Sequence, residues 1–274
     1  MTRVVMWCLI GASVLSAQQP PSTAEPLHRP FDQILDLYVR DGYVYYRALR
    51  AERARLDHYV ASLNVTASTY AGWSREQSIA YWLNAYNAFV LQTVAQHFPI
   101  QGRAASYPAA SIRQIPGAFE QKRHRAAGKL ISLDEIEKSL AEFRDPRLYF
   151  ALGRGAAGSG RLRSEAYTAD RLEEQVAAQT ADFLTRQNHL KIDSVAKQIE
   201  VSPIVGWHET EFAAAYGGTE KVPQYAASRS PIERAVLALI IPVLLPSERE
   251  FLEQNQFTLA WQEFDWKLND LGTR

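Results

Sequence analysis

Residues 153–163 read Gly-Arg-Gly-Ala-Ala-Gly-Ser-Gly-Arg-Leu-Arg, and so many glycines leave little prospect of a regular element. Backbone N–H groups in such a loop can turn toward an anion, and the guanidinium forks of Arg154, Arg161 and Arg163 match carboxylate and phosphate geometry. Ser159, between two glycines, carries a hydroxyl that becomes a nucleophile only with a base in hydrogen-bond reach. His124, in Gln-Lys-Arg-His-Arg, and His208, beside Glu209, are imidazoles suited to that role.

Several other chemistries fail on spacing. Gly153, Gly155 and Gly158 match the G-x-G-x-x-G dinucleotide fingerprint, but Ser159-Gly160 stands where a helix must open, and the N-terminal half lacks the surrounding βαβ unit. A flexible or anion-holding turn is the expectation. His208-Glu209-Thr210-Glu211 lacks the second histidine of H-E-x-x-H, so no zinc site is expected, nor any other cofactor. The only cysteine, Cys8, falls in an N-terminal leader, which removes thiol chemistry from a processed chain.

The elements that must position these groups are mostly helical. Ser74/Gln77, Ser132/Glu135, Ser230/Glu233 and Ser247/Glu250 each have the spacing of a capping box, in which side chains satisfy the free N–H groups of a first turn. Helices are expected at about 31–40, 48–63, 74–97, 132–142, 168–187, 209–216, 231–244 and 247–255, and short strands at 44–46, 148–152, 190–192, 198–201 and 257–264. The fold class is therefore α+β, a helix-rich single domain with a small β-sheet. Asn84 and Asn87 share one face of the long third helix. They line a pocket or tie the helix to a loop through buried amides, and Glu137 on a later helix could meet them. Asp265-Trp266 and Asn269 read as a closing clasp on the N-terminal helices.

Hydrophobic residues make up 47% of the 274 positions, enough for a sizeable core, while a formal net charge of zero removes any long-range attraction for nucleic acid. Residues 4–15 are almost wholly apolar, follow Arg3 and end near Ser16 and Ala17, which is the pattern of a cleavable signal peptide and too short to span a bilayer. The expected organisation is a signal peptide at 1–17, a flexible lead-in at 18–29 and one domain at 30–274, periplasmic or secreted, with no membrane span after cleavage.

From about residue 31 to 270 the chain resembles the bacterial and plant family catalogued as domain of unknown function 547. The resemblance rests on Trp82-Leu-Asn-Ala-Tyr-Asn87, Gly128-Lys-Leu-Ile-Ser-Leu-Asp-Glu-Ile-Glu137, Asp145-Pro-Arg147 with Phe150-Ala-Leu152, the stretch from Arg163 to Tyr167, Trp207 with Phe212, and Asp265-Trp266 with Asn269. It implies departures in this chain: Glu137-Lys138 stands where the family carries a Glu-His pair, and Arg154 and Ser159 stand where it carries two loop cysteines. A hydroxyl is far less acidic than a thiol, and a lysine at about 10.4 needs heavy desolvation to serve as its base. The resulting expectation is a non-catalytic ligand- or peptide-binding module lined by Asn84, Asn87, Glu137, Arg154, Arg161 and Arg163, its ligand an anionic small molecule or carboxylate-bearing peptide. The alternative is a hydrolase with Ser159 as nucleophile and Lys138 or His124 as base.

Overall fold

The structure, a computed structural model, describes residues 24–225 and 227–273. The expected signal segment at 1–17 lies outside the described residues.

The first helix, α1 (Ala24–Tyr38), begins within the segment expected to be a flexible lead-in. Two of its residues explain why. Phe31 stacks on Tyr59 with ring centroids 4.8 Å apart, and His28 Nδ1 lies 2.8 Å from the Tyr59 hydroxyl, so the first turns are tied to the body of the protein. A small hairpin follows, β1 (Val39–Arg40) and β2 (Tyr43–Val44). Next come α2 (Tyr46–Ala51), α3 (Ala54–Ser62) and α4 (Ala67–Ala71), which divide the single helix expected at 48–63 and add one beyond it.

The centre of the fold is α5 (Arg75–His97), opened by the capping box at Ser74. Ser74 Oγ accepts from the Gln77 N–H at 3.2 Å, and Gln77 Oε1 accepts from the Ser74 N–H at 2.9 Å. From Ser78 to Leu91 every residue is buried, so this helix is enclosed on all sides and is not an amphipathic surface helix. Full burial of a large apolar chain such as Phe89 contributes roughly 1.5–3 kcal/mol, which makes α5 the main anchor for everything packed on it.

A second hairpin, β3 (His124–Ala126) and β4 (Lys129–Ile131), leads into α6 (Leu133–Ser139), capped by Ser132 as expected. The strand expected at 148–152 is instead a 3-10 turn, Pro146–Ala151. Asp145 causes this: its carboxylate accepts from the Arg147 N–H at 3.1 Å, and Pro146 follows at the first helical position. The 153–163 loop comes next, then α7 (Leu172–Thr185).

The C-terminal part supplies β5 (Leu190–Asp193), β6 (Gln198–Val201), α8 (Pro203–Trp207), α9 (Glu209–Tyr216), α10 (Pro231–Ile240), α11 (Pro246–Glu253) and β7 (Thr258–Trp261). β6 pairs antiparallel with β5 and parallel with β7. α10 is shorter than expected because Pro242 cannot continue it, and a 3-10 turn, Ile241–Val243, replaces the last turns. α11 begins one residue before Ser247, with Glu248 Oε2 accepting from the Leu245 N–H at 2.8 Å, so the box read at Ser247/Glu250 does not form.

The chain closes on itself through Asn269. Its Oδ1 accepts from the Tyr46 hydroxyl at 2.9 Å, its Nδ2 donates to the Gly42 carbonyl at 2.8 Å, and its carbonyl accepts from the Val44 N–H at 2.9 Å. On the same segment, the Lys267 and Asp265 carbonyls accept from the N–H groups of Ala157 and Gly158 at 2.8 and 2.9 Å. The clasp thus joins the first hairpin to the glycine-rich loop.

Candidate functional site

The 153–163 loop is mostly buried, with Ala157, Arg161 and Arg163 partly exposed, and its glycines serve packing. A Cβ added at Gly160 would lie 1.8 Å from the Phe150 carbonyl oxygen, and one at Gly158 would lie 2.7 Å from the Asp265 nitrogen. No helix follows the G-x-G-x-x-G match, so a dinucleotide has no helix N-terminus to face.

Asn84 and Asn87 pin this loop to α5. Asn84 accepts from the Tyr167 N–H at 2.9 Å and donates to the Tyr167 carbonyl at 2.8 Å. Asn87 accepts from the Gly153 N–H at 2.8 Å and donates to the Ala151 carbonyl at 3.1 Å. Both amides are spent on backbone, which is the tying role foreseen as one of two readings.

Arg154 is almost completely buried, and its Nη2 donates to Glu137 Oε1 at 2.5 Å. The same oxygen lies 2.9 Å from His208 Nε2, while the Tyr86 hydroxyl donates to Glu137 Oε2 at 3.3 Å. His208 stacks on Tyr149 at 3.4 Å with rings nearly parallel. Burial pushes the Glu137 carboxyl up, but the Arg154 charge and the hydrogen bonds from His208 and Arg154 outweigh it and hold the group down at about 2. Glu137 is thus an ionised carboxylate whose two oxygens meet three of this chain's own donors.

Ser159 is buried, and its Oγ accepts from the Arg154 N–H at 3.0 Å. Among the described residues it has no hydrogen bond to either expected base. Lys138 is exposed on α6, and His124 is buried on β3 with its ring stacked on Phe89 at 4.2 Å. The imidazole that shares a cleft with Ser159 is His189, which the sequence reading passed over. That cleft measures about 40 Å³, room for water and not for a substrate, since one water needs roughly 10–15 Å³.

Arg161 and Arg163 line a different and larger space, a polar cleft of about 650 Å³ between α1 and residues 161–171. Arg161 Nη1 stands 3.4 Å from Asp41 and 3.6 Å from Asp182, and Arg163 Nη2 pairs with Glu165. Three side-chain atoms of the lining residues, His28 Nε2, Arg163 Nε and Thr168 Oγ1, are shielded from solvent and have no hydrogen-bond partner. His28 is only 2% exposed, and burial lowers its pKa to about 3, so the ring is neutral. Asp32 and Asp36 line the same cleft, on the same face of α1 as His28, each four residues from the last. Four-residue spacing of His28, Asp32 and Asp36 was available in the sequence, but the expected boundary at residue 30 cut through it.

Among the described residues, no group of three or more His, Cys, Asp or Glu side chains is placed to hold a metal, and no helix is long and apolar enough to cross a membrane. No curated protein and no solved structure matches the chain. Residues 70–184 match the family model described as "Protein of unknown function, DUF547". That span contains α5, α6, the glycine-rich loop and all but the last residue of α7, and hence Asn84, Asn87, Glu137, Arg154 and Ser159. Over residues 70–184 the chain is similar to the DUF547 family of proteins of unknown function.

Proposed function

We propose that this protein is a non-catalytic binding module for a small carboxylate-bearing ligand of the amino-acid or short-peptide class. The observation that carries this reading is the lining of the α1 cleft by charges of both signs, with the exposed Arg29, Asp32 and Asp36 on α1 and Arg161 and Arg163 on the facing segment. A hydrogen bond to a charged group contributes roughly 1.5–3 kcal/mol, so a ligand of complementary charge gains from these side chains. Arg29, whose side chain has no hydrogen bond or ion pair among the described residues, donates to the ligand carboxylate. Asp32 and Asp36 receive an ammonium group on the α1 side. Ligands carrying both charges match this arrangement better than simple anions do.

Three features support a non-catalytic reading over a Ser159 hydrolase: the hydroxyl serves as an acceptor for backbone, the exposed Lys138 and the stacked His124 have no bond to it, and its cleft has no room for an acyl group. The reading includes export to the periplasm or medium, supported by the apolar stretch at 4–15, and no nucleic-acid partner, supported by the zero net charge. N-terminal sequencing of the protein recovered from the producing cell tests the export component.

Calorimetric titration with glycine, alanyl-alanine, acetate and ethylamine tests the ligand class. The expected result is saturable binding of the dipeptide or amino acid, weakened about tenfold or more by Arg29→Ala and by Asp36→Asn, since each loses a charge-assisted ligand hydrogen bond worth roughly 1.5–3 kcal/mol. Absence of saturable binding across the panel, or wild-type affinity in both variants, overturns the assignment.

A further inference from the structure

A second cleft, beside α2, is independent of the polar one. It measures about 1060 Å³ and is walled by Ala48, Ala51, Phe98, Pro99, Ile100 and Leu268 among others. Typical ligand pockets span roughly 300–1,000 Å³, so this one accepts an extended molecule. Its outer wall is braced from behind: the Gln114 amide donates to the carbonyls of Ala104, Tyr107 and Pro108 at 2.9, 3.0 and 3.3 Å, and accepts from the Ala104 N–H at 3.0 Å. Arg50 donates to the Phe98 carbonyl on the α2 side. The space is therefore built into the fold and does not depend on a loose loop.

Two cations stand at this cleft. Arg47 and Lys267 are exposed, and neither side chain has a hydrogen bond or ion pair among the described residues. The one acid in the lining, Asp270, is 7% exposed, and its Oδ1 accepts from the Gly272 N–H at 3.3 Å. An apolar trough with a surplus positive charge at its rim complements a single anionic head on an apolar tail. The walls also argue against a peptide in the trough, because Pro99 and Pro108 have no N–H, the Phe98 carbonyl is taken by Arg50 and the Pro108 carbonyl by the Ser111 N–H at 2.9 Å. A chain without amides leaves no polar group unpaired there.

We infer that the cleft beside α2 binds an amphiphilic monoanion, an unbranched apolar chain ending in a carboxylate, with Arg47 and Lys267 at the head group. This inference rests on different residues from the α1 cleft and survives or fails separately from it.

The test is titration of the full chain with dodecanoate and with dodecanol, each below its aggregation concentration, with urea unfolding of each variant as the check on its fold. Dodecanoate binds one to one, and dodecanol binds at least several-fold more weakly. Arg47→Ala with Lys267→Ala weakens dodecanoate about tenfold and leaves dodecanol unchanged, and raised salt has the same selective effect because rim charges are screened. Ala51→Trp, which places an indole in the trough, abolishes binding of both without changing the urea-unfolding midpoint of the free protein. Absence of saturable dodecanoate binding overturns the inference. So does dodecanol binding as tightly as dodecanoate, or displacement of dodecanoate by an uncharged hydrophobic tripeptide at lower concentration.

Discussion

Replacing Arg154 by Met would remove one partner of a buried ion pair and keep most of the side-chain volume. Two routes to the size of the effect agree. The Glu137 carboxyl lies at about 2 in place of its ordinary 4.5, and at about 1.4 kcal/mol per unit the favourable interactions with the ionised form exceed the desolvation cost by about 3 kcal/mol. Removing one partner of a buried pair costs roughly 3–5 kcal/mol by general experience, because the remaining charge is left in a poor solvent. Arg154→Met should therefore cost about 3–5 kcal/mol in urea unfolding, and about 6–20 °C in Tm at roughly 2–4 °C per kcal/mol for a domain of this size. Glu137 is a depressed carboxyl, so its contribution is complete above about pH 4.5 and lost as pH falls through about 2. The gap between wild type and Arg154→Met should accordingly be full at pH 7 and close toward pH 2. Adding Glu137→Leu removes the stranded carboxylate, so the double variant should be more stable than Arg154→Met alone. A cost below about 1 kcal/mol for the single variant, or a double variant less stable than it, would refute the ion-pair argument.

Buried neutral histidines impose a second acid sensitivity. Burial lowers His28 to about 3, and burial followed by a neighbouring cation, Lys122 for His124 and Arg186 for His189, lowers each of these two to about 4. Each contributes stability that is whole above about pH 6.5 and declines as pH falls toward the folded value, by up to about 1.4 kcal/mol per pH unit. Replacing His124 by Phe should flatten the stability profile between pH 6 and 4; an unchanged slope would mean the ring protonates freely in the fold. Gly160→Ala should fail to accumulate as folded protein, because its Cβ would sit 1.8 Å from the Phe150 oxygen, whereas Gly72→Ala, with 3.6 Å to the nearest atom, should leave Tm within a few degrees. Wild-type protein should show no fluorophosphonate labelling at Ser159; labelling that Ser159→Ala removes would restore the hydrolase reading.

Local structure was legible wherever its cause was local. The boxes at Ser74, Ser132 and Ser230 needed only four residues each, and all three helices start there. Misreadings arose where a local signal was weighed against the wrong competitor. Asp145-Pro146 signalled a capped turn, yet the apolar and aromatic run Leu148-Tyr149-Phe150 suggested a strand, and the cap prevailed. The pair Asn84 and Asn87 was visible as costly to bury, but its partners, the backbone of Tyr167, Gly153 and Ala151, lie far along the chain.

By itself the sequence determined a helix-rich α+β fold, its helix starts, the density of glycine at 153–163 and the presence of arginines beside it. Only the tertiary structure decided which charges are free. Glu137 meets Arg154 across 17 positions and His208 across 71, and Asn269 reaches Tyr46 across 223. Hydrogen bonds and ion pairs act over about 3 Å, so their partners are set by how helices pack in space, and neighbouring residues in the chain carry no record of that packing.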